Sequence, residues 1–301
     1  MRKLVAGLLV LSATASVGCN RNAIDAVNLA NEGDKAKATS PDEAISKYEQ
    51  AANLDQDNHR IQWRLMQMYK KKEQWDKVIT AAAKAEKKAP TFANYFYMHG
   101  FALARQAEKN QASWSDARGP LEAAIQKDAN LADAYYELAE VMLHLDDENA
   151  ALKNYTKAIE TKPDDTQYYG PLADMYVRLG MINEAEQITK EGLSFAKEGD
   201  KHISTLHSLA GDIKERKGDI PGAISSYEAA KKACGQCNEP GQAIVYFNLG
   251  HAYARATRKS EAIQQLSSFQ KMICRGAGAA RYADQCATAQ ADATALGGAL
   301  Q

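Results

Sequence analysis

Proline is scarce, 7 in 301 residues, and no stretch alternates apolar and polar residues in the two-residue rhythm of a half-buried strand. The scarcity of proline permits long ordered elements and the missing alternation argues against β-sheet, so an ordered helical chain is expected, which 45% apolar and 8% aromatic residues can furnish with a core. An excess of one charge is also missing. The formal net charge is −1, and removal of the first 18 residues with Arg2 and Lys3 takes it to −3. A chain with no basic surplus lacks the footprint of a nucleic-acid binder, so no nucleic-acid partner is expected. The apolar run at the amino terminus, Leu4 to Leu11, is too short to span a bilayer.

Signatures of chemistry are equally thin. The six histidines are scattered, with no paired spacing on one helix face that would suit a metal, and no metal or cofactor is expected. There is neither a phosphate loop nor a nucleophile elbow. Ser194-Phe-Ala-Lys197 matches the four-residue core of penicillin-binding enzymes, yet neither companion motif is present, so it reads as helix surface. The expectation is a protein that is not an enzyme, with no catalytic residues.

What is present is a pulse. Tyr69, Val78, Ala85 and Pro90 return in kind, with identical spacing, as Met142, Ala151, Ala158 and Pro163. Apolar residues three and four apart give each helix a stripe to bury, and small residues such as Ala139, Ala158 and Gly250 stand where two helices must approach closely. One helix pair cannot bury its own stripe; stacking does. The segment Ala132 to Asp165 fills all eight signature positions with Tyr135, Leu138, Ala139, Met142, Ala151, Tyr155, Ala158 and Pro163. It resembles the tetratricopeptide repeat family, whose unit of about 34 residues is a pair of antiparallel helices.

The resemblance extends backwards through Leu65, Met66, Tyr69, Ala82 and Ala85, and forwards through Tyr169, Leu172, Ala173, Tyr176 and Ala185. Two further units carry Gly211, Ala223, Tyr227 and Ala230, then Tyr246, Leu249, Gly250, Tyr253 and Ala262. It implies an all-α fold, a right-handed superhelical solenoid of about seven helix-turn-helix repeats with a C-terminal capping helix. The repeats are expected near 25–58, 59–92, 93–131, 132–165, 166–203, 204–242 and 243–276. In the third, the polar run Glu108 to Asp116 should make a bulged turn. In the first, Gly33 and Asp34 should interrupt the leading helix, while Ser40-Pro41 reads as the start of its second. Ala279 to Leu296 suits the cap within 277–301, with fraying from Gly297 on.

The amino terminus has the layout of an export signal: Arg2-Lys3, the apolar core, then small residues up to Gly18-Cys19. A cysteine directly after glycine here resembles the lipobox of bacterial lipoproteins, although Ser16 stands where leucine is customary. The resemblance implies a signal peptide at 1–18, acylation of Cys19, and a lipid-anchored tether at 19–24. More than one acyl chain makes such anchoring stable. Asn20 rather than Asp after the cysteine implies the outer membrane, with the protein facing the periplasm.

Four further cysteines, Cys234, Cys237, Cys274 and Cys286, lie in the last quarter, and an even number in an exported chain suggests disulfides. Three pairings are possible. Cys234 with Cys237 and Cys274 with Cys286 are favoured, because each is local and Cys234 and Cys274 fall near the ends of second helices. A redox role for Cys234-Gly-Gln-Cys237 is the competing idea. It would want its first cysteine at a helix amino terminus, whereas the pattern Tyr227, Ala230 places it at a carboxyl end, where the dipole opposes a thiolate.

Function should then lie in the groove. In this family first helices make a concave surface, and repeat positions two, five, nine, twelve and thirteen point into it. Carried over, position five gives Trp63, Tyr97, Tyr136, Gly170, Ser208 and Phe247, and position nine gives Gln67, Phe101, Glu140, Asp174, Asp212 and His251. The front is aromatic and the rear more acidic, which suits a peptide or helix anchor. Position thirteen forms a cationic row of Lys71, Arg105, His144, Arg178, Arg216 and Arg255, as the helix dipole favours in any last turn. The Lys and Asn clamp by which some family members hold a chaperone carboxylate is replaced by Trp63, Gln67, Met98, Asp133 and Glu137. The resulting expectation is a periplasmic scaffold lipoprotein that binds a protein partner of an envelope machine, such as a pilus or secretin pilotin, outer-membrane assembly or motility complex. A thiol-disulfide protein and a cell-wall glycan binder are the competing readings.

Overall fold

The computed structural model describes residues 21–238, 240–276 and 279–300. The signal segment 1–18 and the lipidation candidate Cys19 lie outside these. Within the described residues every regular element is helical, and no helix is long and apolar enough to cross a membrane.

The chain divides into two compact units, 1–112 and 113–301. The division falls inside the polar run Glu108 to Asp116. Unit 1 contains α1 (Arg21–Ala36), α2 (Pro41–Leu54), α3 (His59–Lys71), α4 (Trp75–Lys88) and α5 (Ala93–Glu108), each packed on its neighbour in sequence. Its core is a seam of small residues, among them Ala26, Ala30, Ala44 and Ala82, filled by Tyr48, Met66, Tyr95 and Met98. Helix α1 runs unbroken through Gly33 and Asp34, contrary to the expected interruption. Gly33 is buried beneath the ring of Tyr48, where a Cβ would come within 2.9 Å of Cε1. It serves there as the small residue of close approach. The helix also begins at Arg21, so residues 21–24 of the expected tether are its first turn.

Unit 2 contains α6 (Trp114–Lys127), α7 (Ala132–His144), α8 (Glu148–Thr161), α9 (Tyr169–Arg178), α10 (Ile182–Phe195), α11 (Ile203–Arg216), α12 (Ile220–Cys234), α13 (Pro240–Arg255), α14 (Lys259–Phe269) and α15 (Ala283–Ala295). A 3₁₀ turn, Thr166–Tyr168, leads into α9, and a π turn, Gln270–Cys274, prolongs α14. Ser113 and Asp116 cap α6 reciprocally, which ends the polar loop sharply. Fully buried Tyr155 and Tyr227 fill the spaces between helices, each side chain contributing about 1.5–3 kcal/mol by leaving water.

One turn recurs in both units. Glu73, Asn110, Asp146, Gly180, Gly218 and Thr257 all have positive φ, at 52°, 56°, 59°, 73°, 81° and 57°. After each, an amide reaches back five residues: Gln74 to Tyr69 (2.9 Å), Asp147 to Met142 (2.9 Å), Met181 to Tyr176 (2.8 Å). This closure satisfies first-helix carbonyls and reverses the chain within two or three residues. Only two of the six positions are glycine, so composition alone does not disclose the motif.

Helix α15 packs on α13 and α14 through Ala289 and Ala293, as a cap should. Beyond it, where fraying is expected, the described residues fold back against the helix. Gly297 adopts φ 67°, Gly298 N–H donates to Ala293 O at 2.9 Å, and Leu300 returns to the apolar cluster around Phe269. A left-handed glycine and an apolar contact just past the end are the usual means of closing a helix.

Candidate functional site

In unit 1, α3 and α5 bring four of the expected groove residues together. Trp63 is half-buried, edge-on to Phe92 and Tyr95 at 6.0 and 6.3 Å. Gln67 is exposed. Tyr97 is only 8% exposed, so it is chiefly a packing residue and not an open anchor. Phe101 lies 5.9 Å from Tyr97 and 5.8 Å from Trp75. Its faces carry two cations: Lys70 Nζ lies 3.8 Å from the ring centroid and the Arg105 guanidinium 4.9 Å. Such contacts contribute about 0.5–2 kcal/mol each, more where water is excluded. Lys70 was passed over in the sequence, although it occupies position twelve of its repeat and follows from the same template.

Helix α3 contains no acidic residue and carries Arg60, Arg64, Lys70 and Lys71. Arg64 is met by Asp34 of α1 at 2.9 Å, and Lys71 Nζ donates to Lys37 O at 3.4 Å. The strip of unit 1 is therefore aromatic and cationic.

The strip of unit 2 differs. Tyr136 is half-buried, 6.0 Å from Tyr155 and 5.7 Å from Tyr168. Glu140 accepts the hydroxyl of Tyr155 at 2.6 Å; burial first and this carboxylate second push that phenol well above its ordinary range. The acidic row at position nine is matched by the cations one turn on: Asp174 meets Arg178 at 3.3 Å and Asp212 meets Arg216 at 3.1 Å. The rear is therefore a charge-balanced ladder and not the acidic surface that the sequence suggested. Asp174 remains open to water, but the protein mass around it raises its carboxyl pKa, against the pull of Arg178.

At the far end, Phe247 packs 5.4 Å from Phe269 in the cluster beneath α15. His251 Nδ1 lies 2.6 Å from Asp292 on α15, and its Nε2 3.8 Å from Glu215. Glu215 also accepts from Arg255 at 2.6 Å and from the Tyr227 hydroxyl at 3.1 Å. Phe247 and His251 are thus engaged in seating the cap. His144 of the cationic row stacks on Trp114, with centroids 3.8 Å apart.

Cys234 is bonded to Cys237 and Cys274 to Cys286, with Cα–Cα distances of 5.0 and 5.8 Å. The first pair sits at the carboxyl end of α12, and Cys237 is 1% exposed. Among the described residues no group of three His, Cys, Asp or Glu side chains could hold a metal ion.

Consecutive helix pairs, each presenting a first-helix strip, define an α-helical repeat protein of the kind that holds partners. Residues 132–165 match the model of the family described as Tetratricopeptide repeat. Similar folds include a tetratricopeptide repeat protein from Parabacteroides merdae, with TM-score 0.62 and 12% identity over 88% of this chain and 99% of that one. PilF of Pseudomonas aeruginosa gives TM-score 0.58 and 14% identity over 70% and 93%. The Cut9–Hcn1 hetero-tetramer of the APC/C gives 0.58 and 17% over 93% and 54%. At these identities the likeness is one of fold. Curated protein sequences give no match. Residues 132–165 are thus a repeat of that family, and the fold of the described chain is similar to that of tetratricopeptide-repeat proteins.

Proposed function

We propose that this protein is a periplasmic scaffold, anchored to the outer membrane through lipid on Cys19, that binds a protein partner of a cell-envelope machine. The observation that carries the binding reading is the cation-bearing aromatic strip of unit 1: Trp63, Phe101 and Lys70 beside exposed Gln67. Aromatic rings offer large contact area at small entropic cost, which is what an anchor for a peptide or helix requires. The export-type amino terminus and the two bonded cysteine pairs support an oxidising compartment. Thiol-disulfide exchange is disfavoured, since Cys237 is shielded and the carboxyl end of α12 destabilises a thiolate.

Site-specific photo-crosslinking in intact cells tests the strip, with the probe at Gln67 and, as control, at Lys157 on the exposed face of α8. One partner captured from position 67 alone supports the scaffold; equal capture from both positions, or none, removes the site. Labelled fatty acid should enter the wild type and not Cys19→Ser, and label absent from both would end the anchor reading.

A further inference from the structure

Outer clefts open between successive second helices, floored by the first helix between them. Over α3 the floor is Gln62, Leu65 and Tyr69; over α7 it is Tyr135, Leu138 and Met142. These are repeat positions four, seven and eleven, filled in α9 by Tyr169, Leu172 and Tyr176 and in α13 by Tyr246, Leu249 and Tyr253. In α5 they are Phe96, His99 and Leu103, with His99 met by Glu86 at 2.8 Å, and in α11 they are His207, Ala210 and Lys214. Two large apolar side chains and their neighbour have become an imidazole, a methyl and an ammonium.

Over these residues lies a cleft of about 300 Å³ between α10 and α12, smaller than the clefts of about 710 and 940 Å³ over α3 and α7 and at the small end of ligand-sized sites. A local rule broken without a packing gain is where function is expected. Lys214 Nζ donates to Ser226 Oγ at 2.9 Å and approaches Gly222 O at 3.4 Å. An ammonium has three donors, so one remains for a ligand. Ser226 accepts from Lys214 and keeps its own proton to give; it is 6% exposed. The nearest carboxylate, Glu186, is held by Lys190 and Lys217, which cancels its repulsion toward an anion. Burial first and Lys214 second lower the pKa of His207.

We propose that this cleft binds a small anion, a molecule bearing a carboxylate or phosphate group, gripped by Lys214 and Ser226 with His207 alongside. The site is separate from the partner strip and does not depend on it. It should bind with the strip mutated and remain silent to a peptide held there.

The test is NMR of the purified protein, following the His207 ring and the Ser226 amide while sodium phosphate or sodium acetate replaces sodium chloride at constant ionic strength. A saturable shift at both residues is expected. Saturation by phosphate alone, or by acetate alone, assigns the headgroup chemistry and supports the site in either case. Lys214→Met, which installs the residue that α7 carries as Met142, should weaken binding about tenfold or more while far-UV circular dichroism is unchanged. Should that variant fail to fold, Ser226→Ala decides, with a weakening of several-fold expected. No shift beyond that of chloride, or unaltered affinity in the folded variant, overturns the proposal.

Discussion

The ring of Tyr48 rests on the backbone of Gly33, and its hydroxyl donates to Asp34 one residue further along the same helix at 2.8 Å. Gly211 and Tyr227 repeat the arrangement in unit 2, the hydroxyl there turning to Glu215. The seam between first and second helix is set in both places by a missing Cβ and a buried phenol. Gly33→Ala would gain about 1 kcal/mol of helix propensity but force the ring aside at about 1–3 kcal/mol. A net loss of about 1 kcal/mol is expected in denaturant unfolding; a variant more stable than wild type would refute this reading of the seam.

Glu186 provides a pH test. Hydrogen bonds from Lys190 first and Lys217 second pull its carboxyl down to about 2 from 4.5. A folded pKa below the unfolded one means a contribution fully present above pH 4.5 and lost as pH falls toward 2. Because the pair is largely solvated, its worth should be less than about 1 kcal/mol. Glu186→Gln should be slightly less stable than wild type at neutral pH and equal to it near pH 2. A gap that widens on acidification would contradict the sign.

The Cys274–Cys286 bond spans 12 residues, and loop closure of that size stabilises by about 3 kcal/mol. The double serine variant should lose about that much, with amide exchange rising first in α15. Unchanged protection of Ala289 and Ala293 would mean that packing alone holds the cap.

The ladder of Asp174 with Arg178 and Asp212 with Arg216 is exposed and made of i,i+4 pairs. Asp174→Asn should change stability by less than about 0.5 kcal/mol. Loss of partner capture in that variant would therefore report on binding, and a large drop in melting temperature would show that the ladder is structural.

The seam and the stacking were legible in the sequence because apolar spacing and small residues are what helix pairs need: Ala139 and Gly250 are readable as points of close approach from their size, and at Gly250 a Cβ would come within 2.7 Å of Leu266. Gly33 was misread, since glycine weakens a helix in isolation and only its partner Tyr48 explains it. The left-handed turns at Glu73 and Asp146 were invisible because neither residue is glycine; what closes each is the backbone bond from the next amide to a carbonyl five residues back. The groove was the least legible part. Position numbers name which residues share a face, but not that Tyr97 turns inward, that Lys70 covers Phe101, or that Asp292 claims His251. Those outcomes depend on side chains from other helices.

A stack of helix pairs has no intrinsic last member, since the surface that ends one chain could accept a pair from another. At the carboxyl end of unit 2 that place is taken by α15, and Cys286 fastens it to Cys274. A plug bonded covalently cannot be exchanged for a neighbouring copy at any protein concentration. Under oxidising conditions the place against α13 and α14 is therefore kept by the α15 of the same chain.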